Sequence, residues 1–242
     1  MLVGGVLIYE RHQAHNAVFN NEQQHLQQQA QMIGKNLSLR LQTTSNALDS
    51  IRNTLHDTTD NTALNEHLQS LSAAMIGVQS FLIVNRNGDV IASNHAKLIG
   101  KNFKNAERYQ TILKGSNPAV LYISTPFKTP LGIWAFGVGK IIPDAENHFN
   151  GYVLAILDPD YFSLLVESVL YAPDMRVDLI HGDGQIVFSS HDKMLSNETS
   201  LSPTQLTLFH TFLNGDPLQS FYENEPNTDR MVRLLVFHGV GV

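Results

Sequence analysis

The chain is organised around residues 81–95, FLIVNRNGDVIASNH. The apolar run Phe81–Val84 is interpreted as one β-strand, and Val90–Ser93 as the strand that returns beside it. Asn87-Gly88 lies between the two runs and predicts a type I′ turn, because both central residues of that turn need a positive φ. The stretch therefore predicts a β-hairpin.

The same pattern recurs 96 positions later in residues 177–191, VDLIHGDGQIVFSSH. Asp183-Gly184 now occupies the turn, and Ser189 matches Ser93. The repeat indicates two copies of one hairpin–helix–sheet module, each of about 100 residues, a length at which a chain can bury its own core.

The composition restricts the class of protein. The chain has 242 residues, a net charge of −6 at neutral pH and no cysteine. A weakly acidic chain without a run of Lys or Arg does not offer a nucleic-acid surface, so we expect no nucleic-acid partner. The lack of cysteine excludes disulfides, thiolate metal sites and a cysteine nucleophile, and it is compatible with a periplasmic location.

The first 58 residues are predicted to form a membrane anchor and a stalk. Residues 1–9, MLVGGVLIY, are apolar but shorter than the roughly 20 residues that span a bilayer. We interpret them as the outer end of a membrane helix, with a signal-peptide core or a buried strand as the alternative. Residues 10–58 contain no proline, and apolar residues recur at steps of three and four from Leu26 to Leu55. This pattern predicts one amphipathic helix of roughly 70 Å, along which a homodimer could form.

Two modules are expected to follow the stalk. Residues 59–172 contain an amphipathic helix at Leu64–Ile76, the hairpin, a short helix at Ala106–Leu113, and three further strands predicted at Val120–Thr125, Gly132–Ile142 and Gly151–Leu157. Residues 173–242 repeat this order, with a helix predicted at Pro203–Leu213 and strands near Gln219–Tyr222 and at Met231–His238. They lack the last strand, so the second module is predicted to be truncated at its C-terminal end. The expected fold is α+β: a long N-terminal helix and two modules, each a five-stranded antiparallel sheet flanked by helices.

The order of motifs between Tyr109 and Phe162 points to a family. A helical aromatic is followed by a strand, a turn, Gly-x-Trp, a polar hairpin ending in Phe-x-Gly, an apolar strand and Asp-x-x-Tyr-Phe. These elements are Tyr109, Gly132-Ile133-Trp134, Phe149-Asn150-Gly151 and Asp158-Pro159-Asp160-Tyr161-Phe162. With the long first helix, this order resembles the double Cache (double PDC, PAS-like) extracytoplasmic sensor of bacterial membrane receptors, as attached to diguanylate cyclases and histidine kinases.

The resemblance implies two PAS-like modules on the periplasmic side of the inner membrane. A pocket in the membrane-distal module, between the sheet and Ala106–Leu113, would bind a small polar or anionic metabolite without a cofactor. The ligand-binding residues that it implies are Arg108, Tyr109, Tyr122, Ser124, Trp134, Phe136 and Asp158. The chain departs from the amino-acid-binding subgroup, because it lacks that subgroup's Arg-x-Trp-Tyr run and has Ile156 where the subgroup places a carboxylate for the ligand amine.

Arg108 and Trp134 each have two interpretations. Arg108 and Tyr109 can bind a carboxylate, since a guanidinium offers a bidentate fork and a phenol one more donor. Alternatively, Arg108 pairs with Glu107 at the surface. Trp134, the only tryptophan, either lines the pocket or packs in the core.

Three charged residues also keep two interpretations. Asp158 contacts the ligand or caps the helix that follows it. Lys128 and Lys140 neutralise an anion or lie in solvent, which is the usual position of lysine.

Motifs for catalysis and for metal binding are missing from the sequence. No Gly-x-Ser-x-Gly elbow, phosphate loop or paired-histidine helix motif occurs, so we assign no catalytic residue. His12 and His15 are three positions apart without a third ligand nearby, so we assign no metal site. The chain is expected to be a sensing input domain whose long helix passes on the signal; the alternative is a structural or dimerisation ectodomain with no ligand.

Overall fold

The computed structural model describes residues 3–57, 60–106, 112, 117–129, 132, 134–158, 160–170, 175–182, 184–190, 201, 203–215, 218–224 and 232–238. These residues form two compact units. One unit is drawn from residues 39–200, and the other from residues up to 38 together with residues 201–241.

The long N-terminal helix predicted from the sequence is confirmed. It runs over 55 residues because no proline interrupts its hydrogen bonds. The second helix begins at Asn61, three positions before its predicted start, because the Asp60 carboxylate accepts a hydrogen bond of 2.9 Å from the N–H of Thr62. The helices described are α1 Val3–Asp57, α2 Asn61–Ala74, α3 Asp160–Glu167 and α4 Pro203–Leu213, with a short 3₁₀ helix at Ala96–Leu98.

The larger sheet is antiparallel throughout and belongs to the unit of residues 39–200. Its strands are β1 Val78–Asn85, β2 Val90–Ser93, β3 Tyr122–Ile123, β4 Phe127–Lys128, β5 Trp134–Pro143 and β6 Phe149–Leu157. The strand order is β2-β1-β6-β5-β3, and β4 also pairs with β5. Both β3 and β4 therefore lie along β5, where the sequence predicted one strand followed by a turn. The edge is divided because Pro126, between them, has no N–H to continue the ladder.

The predicted repeat of the hairpin is confirmed at the level of strand register. The second copy consists of β7 Asp178–Ile180 and β8 Ile186–Ser189. Both hairpins have three paired positions and an irregularity between the second and third pairs. The pairs are Leu82–Ser93, Ile83–Ala92 and Val84–Val90 in the first copy, and Asp178–Ser189, Leu179–Phe188 and Ile180–Ile186 in the second.

The hydrogen bonds at the open ends of the two hairpins also match. The N–H of Phe81 donates to the side-chain oxygen of Asn94 at 2.8 Å. At the equivalent positions, the N–H of Val177 donates to the hydroxyl of Ser190 at 2.9 Å. An amide and a hydroxyl thus complete the same backbone ladder in the two copies.

The predicted type I′ turn is wrong. Gly88 has a φ of +88°, but Asn87 does not have a positive φ. The N–H of Gly88 donates to the carbonyl of Asn85, and the side chain of Asn85 accepts from the N–H groups of Asn87 and Asp89. These contacts favour a three-residue loop, which is a type I turn followed by a glycine bulge. The side chain of Asn85 accepts hydrogen bonds from N–H groups that a two-residue turn would leave available for pairing between the strands.

Alternation along the strands divides the sheet into two buried faces. We name them after one member each. The Tyr152 face carries the buried side chains Leu82, Val84, Ala135, Ile141, Tyr152, Leu154 and Ile156, with Val90, Leu98 and Ile112 packed in the same cluster. The Lys140 face carries Phe81, Ile83, Phe136, Val138, Lys140, Val153 and Ala155.

The remaining described elements belong to the other unit. Helix α4 has the bounds predicted from the sequence, Pro203–Leu213. It is followed by the antiparallel pair β9 Leu218–Asn224 and β10 Val232–His238, close to the strands predicted there. The predicted module boundary at residues 172–174 lies outside the described residues.

Candidate functional site

The Tyr152 face forms an apolar surface on the side of the sheet where the sequence predicts the ligand pocket. Gly137 and Gly139 lie on this face of β5, and their missing side chains leave room for Leu154. A Cβ on Gly139 would lie 3.2 Å from Leu154 Cδ1 and 3.5 Å from Ile112 Cδ1. Ile112 belongs to the predicted segment Ala106–Leu113, so this segment packs directly on the sheet at that point.

Two of the predicted ligand-binding residues belong to this side of the sheet. Tyr122 is half-buried, pairs with Gly139 and packs against the Tyr152-face cluster. Ser124 accepts a hydrogen bond of 2.8 Å from the N–H of Gly137 and donates to the carbonyl of Thr125. Its hydroxyl therefore extends the edge of the sheet.

Two further residues lie on the opposite face. Phe136 is buried, and its ring centroid lies 5.6 Å from that of Phe162 on α3. Trp134 is half-buried, pairs with Lys128, and shares the face of Phe136 by strand alternation. Phe136 and Tyr122 consequently cannot line the same side of the sheet.

The last three predicted residues are Asp158, Arg108 and Tyr109. The Asp158 carboxylate accepts a hydrogen bond of 2.9 Å from the N–H of Asp160, so it caps α3. Arg108 and Tyr109 lie outside the described residues.

Sequence reasoning missed Tyr152. This residue is fully buried and brings a phenol into the apolar cluster of the predicted pocket face. The signal was present as the alternation of Tyr152, Leu154 and Ile156 along β6. It was hidden because both faces of β6 are buried, and an all-apolar strand does not reveal which residues share a face.

A charged cluster joins α1 to the opposite face of the sheet. Lys140, whose side chain is 7% exposed, donates to Asp49 at 2.6 Å. Asp49 also accepts from Arg52 at 2.6 Å. Lys140 is therefore neither solvated nor free for an external anion, since a buried ammonium is tolerated when a carboxylate pairs with it.

Arg52 extends this cluster to two backbone segments. Its Nη1 donates to the carbonyl of Pro118 at 2.7 Å and to the carbonyl of Ile141 at 3.0 Å. One guanidinium thus ties α1 to the end of β5 and to the segment that leads from Ile112 into β3.

In the part of the chain that the structure describes, no helix combines the length and the hydropathy that crossing a bilayer requires. Within the same residues, no group of three His, Asp or Glu side chains is arranged to hold a metal ion. The predicted membrane anchor at residues 1–9 stays a prediction.

Comparison with known proteins identifies the family. The Cache domain model dCache_1 matches residues 11–233. No curated protein matches the chain. Among solved structures, the extracellular domain of a proposed histidine kinase, rpHK1S-Z16, is similar with a TM-score of 0.75 and 18% identity, covering 88% of this chain and 87% of that one.

Two chemoreceptor domains have the same fold. The sensory domain of Campylobacter jejuni Tlp3, solved with isoleucine, gives a TM-score of 0.63 at 14% identity over 90% of this chain and 88% of that one. The ligand-binding domain of Pseudomonas aeruginosa PctC, solved with GABA, gives 0.55 at 14% identity over 69% and 76%. Since the family model covers nearly the whole sequence, the chain belongs to the Cache family and is an extracellular sensor domain, not a catalytic domain.

Proposed function

We propose that this domain binds a small polar or anionic metabolite on the Tyr152 face and passes the signal through α1. In this proposal residues 1–9 end a membrane helix, residues 10–58 form the stalk, and residues 59–172 form the membrane-distal PAS-like module that holds the ligand. Residues 173–242 belong to a membrane-proximal PAS-like module. The receptor then lies in the inner membrane with this region in the periplasm.

The proposed ligand is a carboxylate rather than an α-amino acid. Tlp3 was solved with isoleucine and PctC with GABA, which both carry an amine and a carboxylate. In this chain the described β5 and β6 positions of the Tyr152 face carry no acidic side chain, and Ile156 is buried in the apolar cluster. A ligand ammonium placed there would have no counter-charge, and an unpaired buried charge is costly.

The roles proposed for Arg108 and Tyr109 rest on the resemblance to the family, and those of the described site residues rest on their positions. Arg108 and Tyr109 bind the carboxylate through charge-assisted hydrogen bonds. Tyr122 lines the pocket beside the apolar cluster, and Ser124 holds its edge. The other three residues have structural roles in this proposal. Trp134 and Phe136 pack on the opposite face of the sheet, and Asp158 orients α3.

The contacts of Arg52 are the observation that carries the proposal of a signal through α1. The segment containing Pro118 connects the pocket segment at Ile112 with β3. A ligand that draws this segment towards the sheet would move the Pro118 carbonyl, to which Arg52 donates. The ligand can shift α1 only as far as its affinity differs between the two positions of the segment.

A binding screen tests the ligand class. The purified domain is screened by thermal shift with short-chain dicarboxylates and with amino acids, including isoleucine and GABA, and hits are measured by calorimetry. We expect a carboxylate to stabilise the wild type and the Lys97→Ala variant, which removes an exposed cation elsewhere, but not Arg108→Ala. Equal binding to Arg108→Ala would remove this residue from the site.

A distance measurement tests the relay. The chain has no native cysteine, so spin labels can be placed at Asn53→Cys on α1 and at Glu146→Cys in the β5–β6 loop. We expect the screened carboxylate to change the distance distribution in this background. With Arg52→Met added, binding should persist while the change disappears. An undiminished change in that variant would contradict a relay through Arg52.

Dimerisation through the long helix is the second candidate function. Met32 and Leu39 are each 53% exposed and lie seven positions apart on α1, a spacing found on one helix face. Sedimentation velocity over a range of concentrations should show a dimer that Leu39→Glu dissociates. A monomer at every concentration would end this alternative.

A further inference from the structure

A cavity lies on the Lys140 side of the sheet, where α1, the connection from α2 to β1, and α3 meet. Its volume is about 250 Å³. The floor is apolar and consists of the buried side chains Leu41, Val78, Leu157 and Phe162. We call it the Arg40 cavity, after the residue at its polar end.

The charge of Arg40 is not compensated by a carboxylate in the part of the chain that the structure describes. Its guanidinium donates to the hydroxyl of Tyr161 and lies 4.8 Å from the centroid of that ring. Both contacts are with a neutral side chain, and none of the residues that line the cavity is acidic. A half-buried guanidinium with spare donors next to an empty volume favours an anion, since it can offer a carboxylate two parallel hydrogen bonds.

Gly77 explains why the Tyr161 ring can stay beside Arg40. Gly77 has a φ of +90°, and a Cβ at this position would lie 2.6 Å from Tyr161 Cγ. The ring therefore rests on bare backbone, with its hydroxyl directed to Arg40. The carbonyl of Gly77 also accepts from the N–H of Asp158, which fixes this backbone against the end of β6.

We propose that the Arg40 cavity is a second ligand site, which binds a short-chain aliphatic monocarboxylate. The carboxylate pairs with Arg40, and the alkyl chain lies on the floor formed by Leu41 and Leu157. The small volume suits a short alkyl chain, and the apolar floor disfavours a second charge. This site is separate from the pocket proposed on the Tyr152 face, and because Arg40 belongs to α1, its ligand would act on the same helix.

Isovalerate is the probe for the test, using the whole chain with labelled methyl groups. We expect the methyl resonances of Leu41, Val78 and Leu157 to shift on titration, while those of Leu154 and Ile156 on the other face stay in place. Shifts confined to Leu154 and Ile156 would overturn the proposal. This readout separates the second site from the first, whatever the fate of the first.

Variants and a neutral analogue test the role of charge. Arg40→Met should weaken isovalerate binding at least tenfold, whereas Lys97→Gln, which removes an exposed cation outside both proposed sites, should leave it unchanged. Isoamyl alcohol has nearly the same shape without the charge, and binding as tight as that of isovalerate would overturn the proposal. Ala74→Phe adds a ring at an exposed position of the cavity mouth. It should abolish isovalerate binding without changing the packing of the core. Unchanged binding would mean that the ligand lies elsewhere.

Discussion

Gly151 supports a quantitative test of why the family motif Phe149-Asn150-Gly151 ends in glycine. Gly151 is buried opposite Asn85 of β1, in an irregular part of the β5–β6 pairing, and has a φ of +129°. A Cβ there would overlap the carbonyl oxygen of Val84 and lie 3.1 Å from the Cα of Asn85. Both obstacles are backbone atoms of a central strand, which cannot rotate away as a side chain can.

The expected cost of Gly151→Ala has two parts. A non-glycine residue held in such a conformation costs about 1–3 kcal/mol, and forcing extra volume into a packed core costs about 1–3 kcal/mol more. Gly100→Ala is the matched control for the first part, since Gly100 has a φ of +79° but no atom within 4 Å of the position that an added methyl group would take. Gly182→Ala, with neither feature, should change the free energy of unfolding by less than about 0.5 kcal/mol.

Urea unfolding followed by tryptophan fluorescence measures the three variants. Trp134 is the chain's single tryptophan and lies on β5, so the signal reports the unit that contains all three glycines. We expect Gly151→Ala to lower the free energy of unfolding by about 1–3 kcal/mol more than Gly100→Ala does. This difference is the contribution of overpacking alone. Equal losses for these two variants would refute the argument that β1 blocks this position.

Two further predictions concern charged groups. Hydrogen bonds from Asn102 and, to a lesser extent, from Asn85 hold the pKa of Asp89 below its ordinary value of 3.8. The stabilisation of the folded state by this carboxylate is therefore present above about pH 4, and it is lost as the pH falls through the folded-state pKa. Asn102→Ala should raise this pKa in an NMR titration of the Asp89 carboxyl carbon, and an unmoved value would contradict the assignment. Asp49→Asn should cost about 1–3 kcal/mol because it leaves the ammonium of the buried Lys140 without its counter-charge. Adding Lys140→Met should restore part of the loss in a double-mutant cycle, and additive losses would mean that the pair is not coupled.

Patterns within a few residues of each other predicted much of the fold. Two apolar runs on either side of an Asn-Gly dipeptide located the hairpin, and the same pattern 96 positions later located its copy, whose strands pair at the equivalent positions. Capping chemistry predicted the role of Asp158 that its hydrogen bond to Asp160 now shows. The turn type was missed because it depends on the side chain of Asn85, two positions before the dipeptide that was considered.

The candidate site was harder to predict because its residues come from strands buried on both sides. Tyr122 and Phe136 were grouped from family order, yet they belong to opposite faces of the sheet. Tyr152 was overlooked for the same reason. A sequence of apolar residues indicates that a strand is buried, but the pairing of neighbouring strands decides what each side chain meets.

By itself the sequence determined the long helix, the repeated hairpin and the α+β class, since periodicity, proline spacing and glycine conformation act over a few residues. Only the tertiary structure decided that Lys140 meets Asp49 across 91 positions and that Arg40 meets Tyr161 across 121. The physical reason is that such contacts arise from the packing of α1 on the sheet, which brings together side chains that no local pattern relates.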